Sequence, residues 1–501
     1  ESPAPTRPAP PRPPPAPAAR AAGRTGSRGR TAALALCLAL AGCGEAVFTP
    51  DVAAELPAAW ATRPAPGSEL GRDWIAAFRV PELTRLAALA EIDNLDLAAA
   101  AARIAQAEAS LAGSRAGLAP TLSGSAETAR TVTPGTRSSF SPPFSANVGD
   151  SYQLGVSASW QLDLRGRLSA LAHADERALA AARIDREAVR LTLLAAIADD
   201  WFRVAAAADR LRIAHESVAT AERTLNVYRR RLEVGTATAL DIAEQESLLA
   251  TQRASIPDIE IELRQTRNSL VALTGRPPED MKVRANGLSG VRVPTVAPGL
   301  PSRLLDRRPD LAVAEANLAA QAARVEAARA AFLPDVSLTA SGGFASAFLK
   351  NLLRPDAIAS SAAASLAETL FDGGAREADL AGARARHAEL VADYRKAAHS
   401  ALVDVENALV AIDQNRRRET LQRAVVEAAR KTQRLTEERL REGTIDVTTV
   451  LDAERTLFQA EQTLVSVRLA RLQAVVSLVT ALGGGWEKDG EPRVVTAAET
   501  P

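Results

Sequence analysis

Tyr152-Gln153-Leu154-Gly155-Val156-Ser157-Ala158-Ser159-Trp160-Gln161-Leu162 alternates in polarity along its whole length. Tyr, Leu, Val, Ala, Trp and Leu fall on one side, and Gln, Gly, Ser, Ser and Gln on the other. A period of two is that of a strand with unlike faces. A soluble sheet with one wetted face gives the same alternation. The length, about ten residues, also suits a tilted strand that crosses a bilayer. The pattern returns in Val336-Ser337-Leu338-Thr339-Ala340-Ser341-Gly342-Gly343-Phe344 and, less clearly, over 122–128 and 358–370. Four strands cannot close a barrel within one chain, and lipid tolerates no open sheet margin. A membrane role for them therefore requires several copies of the chain.

Moving outward from the strands, the chain repeats itself. Leu118-Ala119-Pro120-Thr121-Leu122-Ser123, Leu162-Asp163-Leu164-Arg165-Gly166, Arg231-Leu232-Glu233-Val234-Gly235-Thr236 and Leu273-Thr274-Gly275 return in order in the second half. Their partners are Phe332-Leu333-Pro334-Asp335-Val336-Ser337, Leu370-Phe371-Asp372-Gly373-Gly374, Arg439-Leu440-Arg441-Glu442-Gly443-Thr444 and Leu482-Gly483, each about 210 residues later. A duplication of that size is neither a solenoid nor a propeller blade. In each half a short Ala-rich helix (83–116, and from Pro309 to Ala331) leads into two strands. A long helical run follows, 168–234 or 375–442, roughly 100 Å if continuous. Gly235 and Gly443 reverse the chain, since a helix hairpin favours a left-handed residue that Gly adopts at little cost. The return helices, 240–273 and 449–482, are about half as long. Short and return helices stacked end to end would match the long one. Loops 132–149 and 347–356 join the strands.

Composition agrees with helices packed on helices. Aromatics are only 4% while hydrophobics reach 47%, largely through Ala, which is too little bulk for several separate cores. The 60 basic and 60 acidic residues balance, so no nucleic-acid footprint is expected. Residues 1–42 hold six Arg and one Glu, leaving 54 basic against 59 acidic residues in the remainder. Both cysteines, Cys37 and Cys43, lie near the N-terminus and cannot staple the body. Residues 1–29, a Pro/Ala/Arg stretch that begins without Met, read as an overlong gene product or a dispensable leader.

Arg20, Arg24, Arg28 and Arg30 precede an apolar run, Ala32 to Leu40, that is too short to span a bilayer. Leu40-Ala41-Gly42-Cys43 then resembles the bacterial lipobox, which implies acylation of Cys43; a secretory signal with an incidental cysteine is the alternative. One acyl chain holds weakly, so a stable anchor implies several. The expected order is a leader and signal over 1–42, a Pro-rich tether over 43–82, a first repeat over 83–275, a linker over 276–302, a second repeat over 303–482 and a tail over 483–501.

Arg307-Arg308-Pro309-Asp310, Ala327-Ala328-Arg329-Ala330-Ala331-Phe332-Leu333-Pro334, Leu370-Phe371-Asp372-Gly373-Gly374, Val450-Leu451-Asp452-Ala453-Glu454-Arg455-Thr456-Leu457-Phe458 and Ala481-Leu482-Gly483-Gly484-Gly485-Trp486 occur in that order. Together they resemble the TolC family of outer membrane channels, most of all its lipoprotein branch serving RND-type efflux pumps. The resemblance runs from about Trp74 to Trp486. It implies an α+β membrane protein: a homotrimer whose four strands per chain form one twelve-stranded β-barrel in outer membrane lipid, continued by a long α-helical barrel in the periplasm. It also implies a periplasmic adaptor and an inner-membrane pump as partners, with this chain conducting cargo passively. An outer component of a type I secretion or metal-efflux system is the alternative within the family. Outside it, a coiled-coil scaffold fits the helices but leaves the strands and export signal unexplained, and a lipoprotein enzyme lacks a catalytic constellation.

The resemblance further implies a gate just past the second hairpin turn. Asp452 and Arg455 match the family's acid and base there, and their i,i+3 spacing puts them on one helix face. Thr448 stands where relatives carry a bulky apolar residue, and Thr449 where some carry a second Asp. A solvated pair is the alternative for Asp452 and Arg455. Asp241 and Glu244 hold the equivalent positions in the first hairpin. Gly235 and Gly443 are expected as turns, with adaptor docking as a second role. His173, His215, His387 and His399 have no metal-site spacing, and no cofactor is expected. Trp160, Phe344 and Phe371 suit an aromatic girdle, or packing in the core.

Overall fold

The computed structural model of the chain describes residues 57–62, 67–68, 71–133 and 147–488. Cys43, the leader, most of the tether, the greater part of the first strand-joining loop and the end of the tail lie outside the described residues. The helices are α1 (Pro81–Asp93), α2 (Leu95–Ala116), α3 (Arg167–Glu233), α4 (Ala239–Leu273), α5 (Leu304–Arg307), α6 (Pro309–Ala330), α7 (Ala375–Glu442) and α8 (Val447–Ala481). The strands are β1 (Thr121–Thr133), β2 (Asn147–Leu162), β3 (Asp335–Ser346) and β4 (Ile358–Ala367). The two halves match closely, with α2 and α6 of 22 residues each, α3 and α7 of 67 and 68, and α4 and α8 of 35 each.

The sequence pattern suggests one helix over 83–116, but Asn94 divides it. Its backbone is extended, and its side-chain oxygen accepts the amides of Asp96 and Leu97 at 2.8 and 3.0 Å, an N-cap for α2. Its amide nitrogen donates to the Leu273 carbonyl at the end of α4, at 2.8 Å. The return helix α4 thus ends against the start of α2, which is the end-to-end stacking that the helix lengths suggest. In the second half Arg308 takes the corresponding place and donates to the Ala481 carbonyl at the end of α8. Gly275 and Gly483 let the chain pass so closely that a Cβ at either would overlap the carbonyl of Asp93 or Arg307.

The main core is a belt midway along the helices. α3 is buried on nearly every side between Leu193 and Ala207, where Trp201 meets Phe202, Phe202 meets Phe78, and Phe78 meets Trp74. Ala198, Ala205, Ala206 and Ala207 are almost wholly buried and leave room for close helix approach. The turn Trp74–Phe78 and the segment after α4, through Val283, Leu288 and Val291, pack into the same belt. By length and composition α8 could cross a membrane, yet half of its most apolar window is buried inside the bundle, which makes it a wall helix.

The strands form one antiparallel sheet in the order β1-β2-β3-β4. β4 ends at Ala367, short of the alternation read through Leu370, and Asp372 then turns the chain into α7. Its carboxylate accepts from the Gly374 amide at 2.9 Å and from Arg376 Nε at 2.8 Å. Asp163 does the same for α3, accepting the amides of Leu168 and Ser169.

Candidate functional site

The strand register sorts the sheet into two unlike faces. Leu122, Ala158, Ala340 and Ala362 stand in one row across the four strands, and Ala126, Leu154, Phe344 and Ile358 in another. Both rows are apolar and share a face with Val156, Trp160, Leu338 and Leu366. The intervening rows, such as Ser123, Ser157, Ser341 and Ser361, are hydroxyl-bearing and lie on the opposite face. Ser123 and Ser157 hydroxyls meet at 2.8 Å, Ser337 and Ser365 at 2.7 Å, and Ser341 and Ser361 at 2.9 Å, so the polar face carries cross-strand ladders. Among the described residues, Glu127 and Asp335 are the charges on it.

Among the described residues nothing covers the apolar face. Leu122 is 75% exposed and Leu366 71%, values at odds with a water-soluble sheet packed on a core. At the helix end of the sheet Trp160 donates its ring N–H to the Leu118 carbonyl at 2.9 Å, and Leu370 and Phe371 stand exposed. Phe344 lies near the far end of β3, with exposed Phe348 and Leu353 beyond it. β1 and β4 each have one strand neighbour, which leaves both margins of the sheet unpaired among the described residues.

At the other end of the long helices lie the two hairpin tips. Gly235 and Gly443 have φ of +75° and +72°. In each turn a Thr amide two-way ties the chain back: Thr236 and Thr444 both donate N–H and hydroxyl to the carbonyl of Arg231 and Arg439 respectively. Thr238 and Asp446 then cap α4 and α8. Thr238 and Asp241 form a reciprocal capping box. Asp446 accepts the Thr449 amide at 3.0 Å and its hydroxyl at 2.6 Å. Thr449 is therefore engaged in a cap, and Asp241 likewise. The guanidinium of Arg231 donates to the Leu440 carbonyl and links the two tips.

Thr448, Asp452 and Arg455 are exposed and follow one another by four and three residues, on a single face of α8. Asp452 and Arg455 form no ion pair with each other, nor with any other described residue of the chain. The opposite face is buried: Val447, Val450 and Leu451 pack with Tyr228 of α3, Leu248 of α4 and Leu440 of α7, and Glu454 is buried beside them. Glu454 is only 4% exposed. It accepts from the Thr224 hydroxyl at 2.7 Å and from the Gln245 amide at 3.4 Å. Burial pushes its carboxyl above the usual range against the pull of these two bonds. Burial likewise pushes the Tyr228 phenol up to about 12. This node escapes a motif search, but it has a signal: a carboxylate at the fourth position of an apolar i, i+3, i+4, i+7 stripe.

Comparison with known proteins agrees with this geometry. The model of the outer membrane efflux protein family matches residues 86–276 and 300–484. The chain belongs to that family. Its two matched stretches are the two structural halves, and their sheet and helical tip are those of an outer membrane efflux component. The chain is 35% identical over 460 residues to the pyoverdine export outer membrane protein OpmQ of Pseudomonas aeruginosa, covering 91% of this chain and 97% of that one. It is 31% identical over 462 residues to outer membrane protein OprJ of the same species, covering 91% and 96%. Among solved structures, the outer-membrane channel OprN superposes with a TM-score of 0.79 at 27% identity, over 88% of this chain and all of that one. The fold is thus that of the TolC-like channels.

Proposed function

We propose that three copies of this chain assemble into a twelve-stranded barrel continued by a helical tunnel, which passively conducts cargo from an inner-membrane RND-type pump and a periplasmic adaptor to the exterior. The observation that carries this reading is the sorted sheet, apolar on one face and hydroxyl-lined on the other, with both margins unpaired. Three such sheets, edge to edge, satisfy every margin and put the hydroxyls on the lumen. The chain makes and breaks no bond in this role. Residues 83–275 and 303–482 are the two repeats around the tunnel, joined by 276–302, and Cys43 is the acylated anchor that ends the 43–82 tether at the membrane.

In this reading Asp452 and Arg455 form the periplasmic gate, with Thr448 beside them and Thr449 fixing the start of the gate helix. Their lack of ion-pair partners among the described residues supports pairing across the trimer axis, where charges in a narrow space interact more strongly than exposed surface pairs. Gly235 and Gly443 shape the hairpin ends that meet the adaptor. Small-molecule cargo is favoured over secreted protein by the similarity to the pyoverdine export protein OpmQ. A deletion strain should retain a fluorescent efflux substrate, and the restored gene should return the cell content to the wild-type level. Equal retention in all strains would reject the reading. Metabolic labelling with an acyl-chain probe should mark the protein and lose the mark in Cys43→Ser.

A further inference from the structure

The polar node buried behind the gate helix is not fully paired among the described residues. Gln245 is wholly buried and spends its amide N–H groups on the Ala221 carbonyl, at 3.1 Å, and on Glu454. Its carbonyl oxygen has no partner, and neither has the buried Tyr228 hydroxyl. A carboxylate adds only acceptors to such a node, whereas a neutral carboxyl group adds a donor. The node joins three helices: Thr224 and Tyr228 on α3, Gln245 on α4 and Glu454 on α8. Glu454 lies between Asp452 and Arg455 in sequence but points the other way, into the bundle.

On its far side Glu454 borders a cavity of about 340 Å³ shared with Glu216, Arg434 and Phe458, which offers a proton a route to solvent. The charged neighbours oppose one another. Arg223 of α3 favours the ionised form and Glu437 of α7 disfavours it. Arg430 of α7 is paired with Glu461 of α8 at 2.8 Å. Burial therefore decides the balance.

We propose that Glu454 is a proton-operated latch of the periplasmic tip: with its carboxyl neutral α8 packs on α3 and α4 without burying a charge, and loss of the proton to the cavity leaves a desolvated carboxylate there that loosens α8. The inference rests on the gate reading for its effect on conduction, though not for its effect on packing. The packed tip binds the extra proton, so packing is favoured at low pH and is lost as pH rises through the raised value of Glu454.

The test uses the full-length protein in planar bilayers and in detergent between about pH 5 and about pH 8. Wild-type open probability should rise with pH, by no more than about tenfold per pH unit for each linked proton. Glu454→Gln, permanently neutral, should hold the low-pH behaviour throughout. Thr224→Val, which removes a bond that favours the ionised form, should move the midpoint to higher pH. Hydrogen exchange of the α8 amides near residues 447–455, corrected for its intrinsic pH dependence, should follow the same order. If exchange responds while conductance does not, the latch stands and the gate reading fails. If Glu454→Gln keeps the wild-type pH response in exchange, the latch is overturned.

Discussion

Substituting Gly275 by Ala should cost far more than the same change at Gly235, although both residues have φ of +75°. At Gly235 an added Cβ meets no atom within 4 Å, so only the left-handed backbone opposes it. That strain is about 1 kcal/mol, roughly fivefold in a local opening constant. At Gly275 the Cβ would overlap the Asp93 carbonyl oxygen and lie 2.8 Å from its carbon. The α4 end must then withdraw from the α2 start, which breaks the Asn94 to Leu273 hydrogen bond and the Arg276 to Asp93 contact at 2.7 Å. With each bond worth about 1 kcal/mol, the total is about 3 kcal/mol, or roughly a hundredfold. Hydrogen exchange at the amides of Ala98 and Gly275, which donate to Asn94 and Ala272 at the two helix ends that meet here, reads the effect. Equal acceleration for Gly275→Ala and Gly235→Ala, each at its own site, would refute the close-approach argument.

Three further outcomes follow from the structure. Val156→Arg on the apolar face should lose about 2–4 kcal/mol of barrel stability and lower the amount of assembled protein in outer-membrane fractions, whereas Ser157→Arg, one residue along on the polar face, should assemble and instead change ion conductance. The double variant Asp452→Ala with Arg455→Ala should raise single-channel conductance while leaving the thermal midpoint near wild type, because neither side chain has an ion-pair partner among the described residues; unchanged conductance would remove both from the gate. At buried Glu419, burial alone would raise the carboxyl, but the Arg471 hydrogen bond at 2.7 Å and the charge of Arg423 hold it below the usual range. Its stabilisation is present above the ordinary Glu value of 4.5 and is lost as pH falls through the lowered one, so Glu419→Gln should flatten the acid side of a plot of thermal midpoint against pH.

The elements most legible in the sequence were those with one clean period. β2 and β3 follow directly from alternation at 152–162 and 336–344, and the long helices from unbroken runs between Gly166 and Gly235 and between Gly374 and Gly443. The break at Asn94 was hidden because apolar residues keep helical spacing on both sides of it. Its counterpart in the second half carries Pro309, which marks the same boundary openly. That Asp452 and Arg455 share one exposed face of α8 was legible from their i,i+3 spacing. Glu454 was not, since a carboxylate set between the charges of Asp452 and Arg455 reads as solvated until the packing of α3 and α4 is known. The role of Thr449 was also hidden, because whether a hydroxyl lines an axis or caps a helix depends on where the helix begins, and Asp446 sets that start.

The central claim is that this sheet is one third of a closed barrel. Native mass measurement on protein extracted from outer membranes in mild detergent tests it most directly. The account predicts a species of three chains, with no monomer that stays soluble when the detergent is withdrawn. A stable, detergent-free monomer would contradict it, because unpaired strand margins and an uncovered apolar face could not then be what drives assembly.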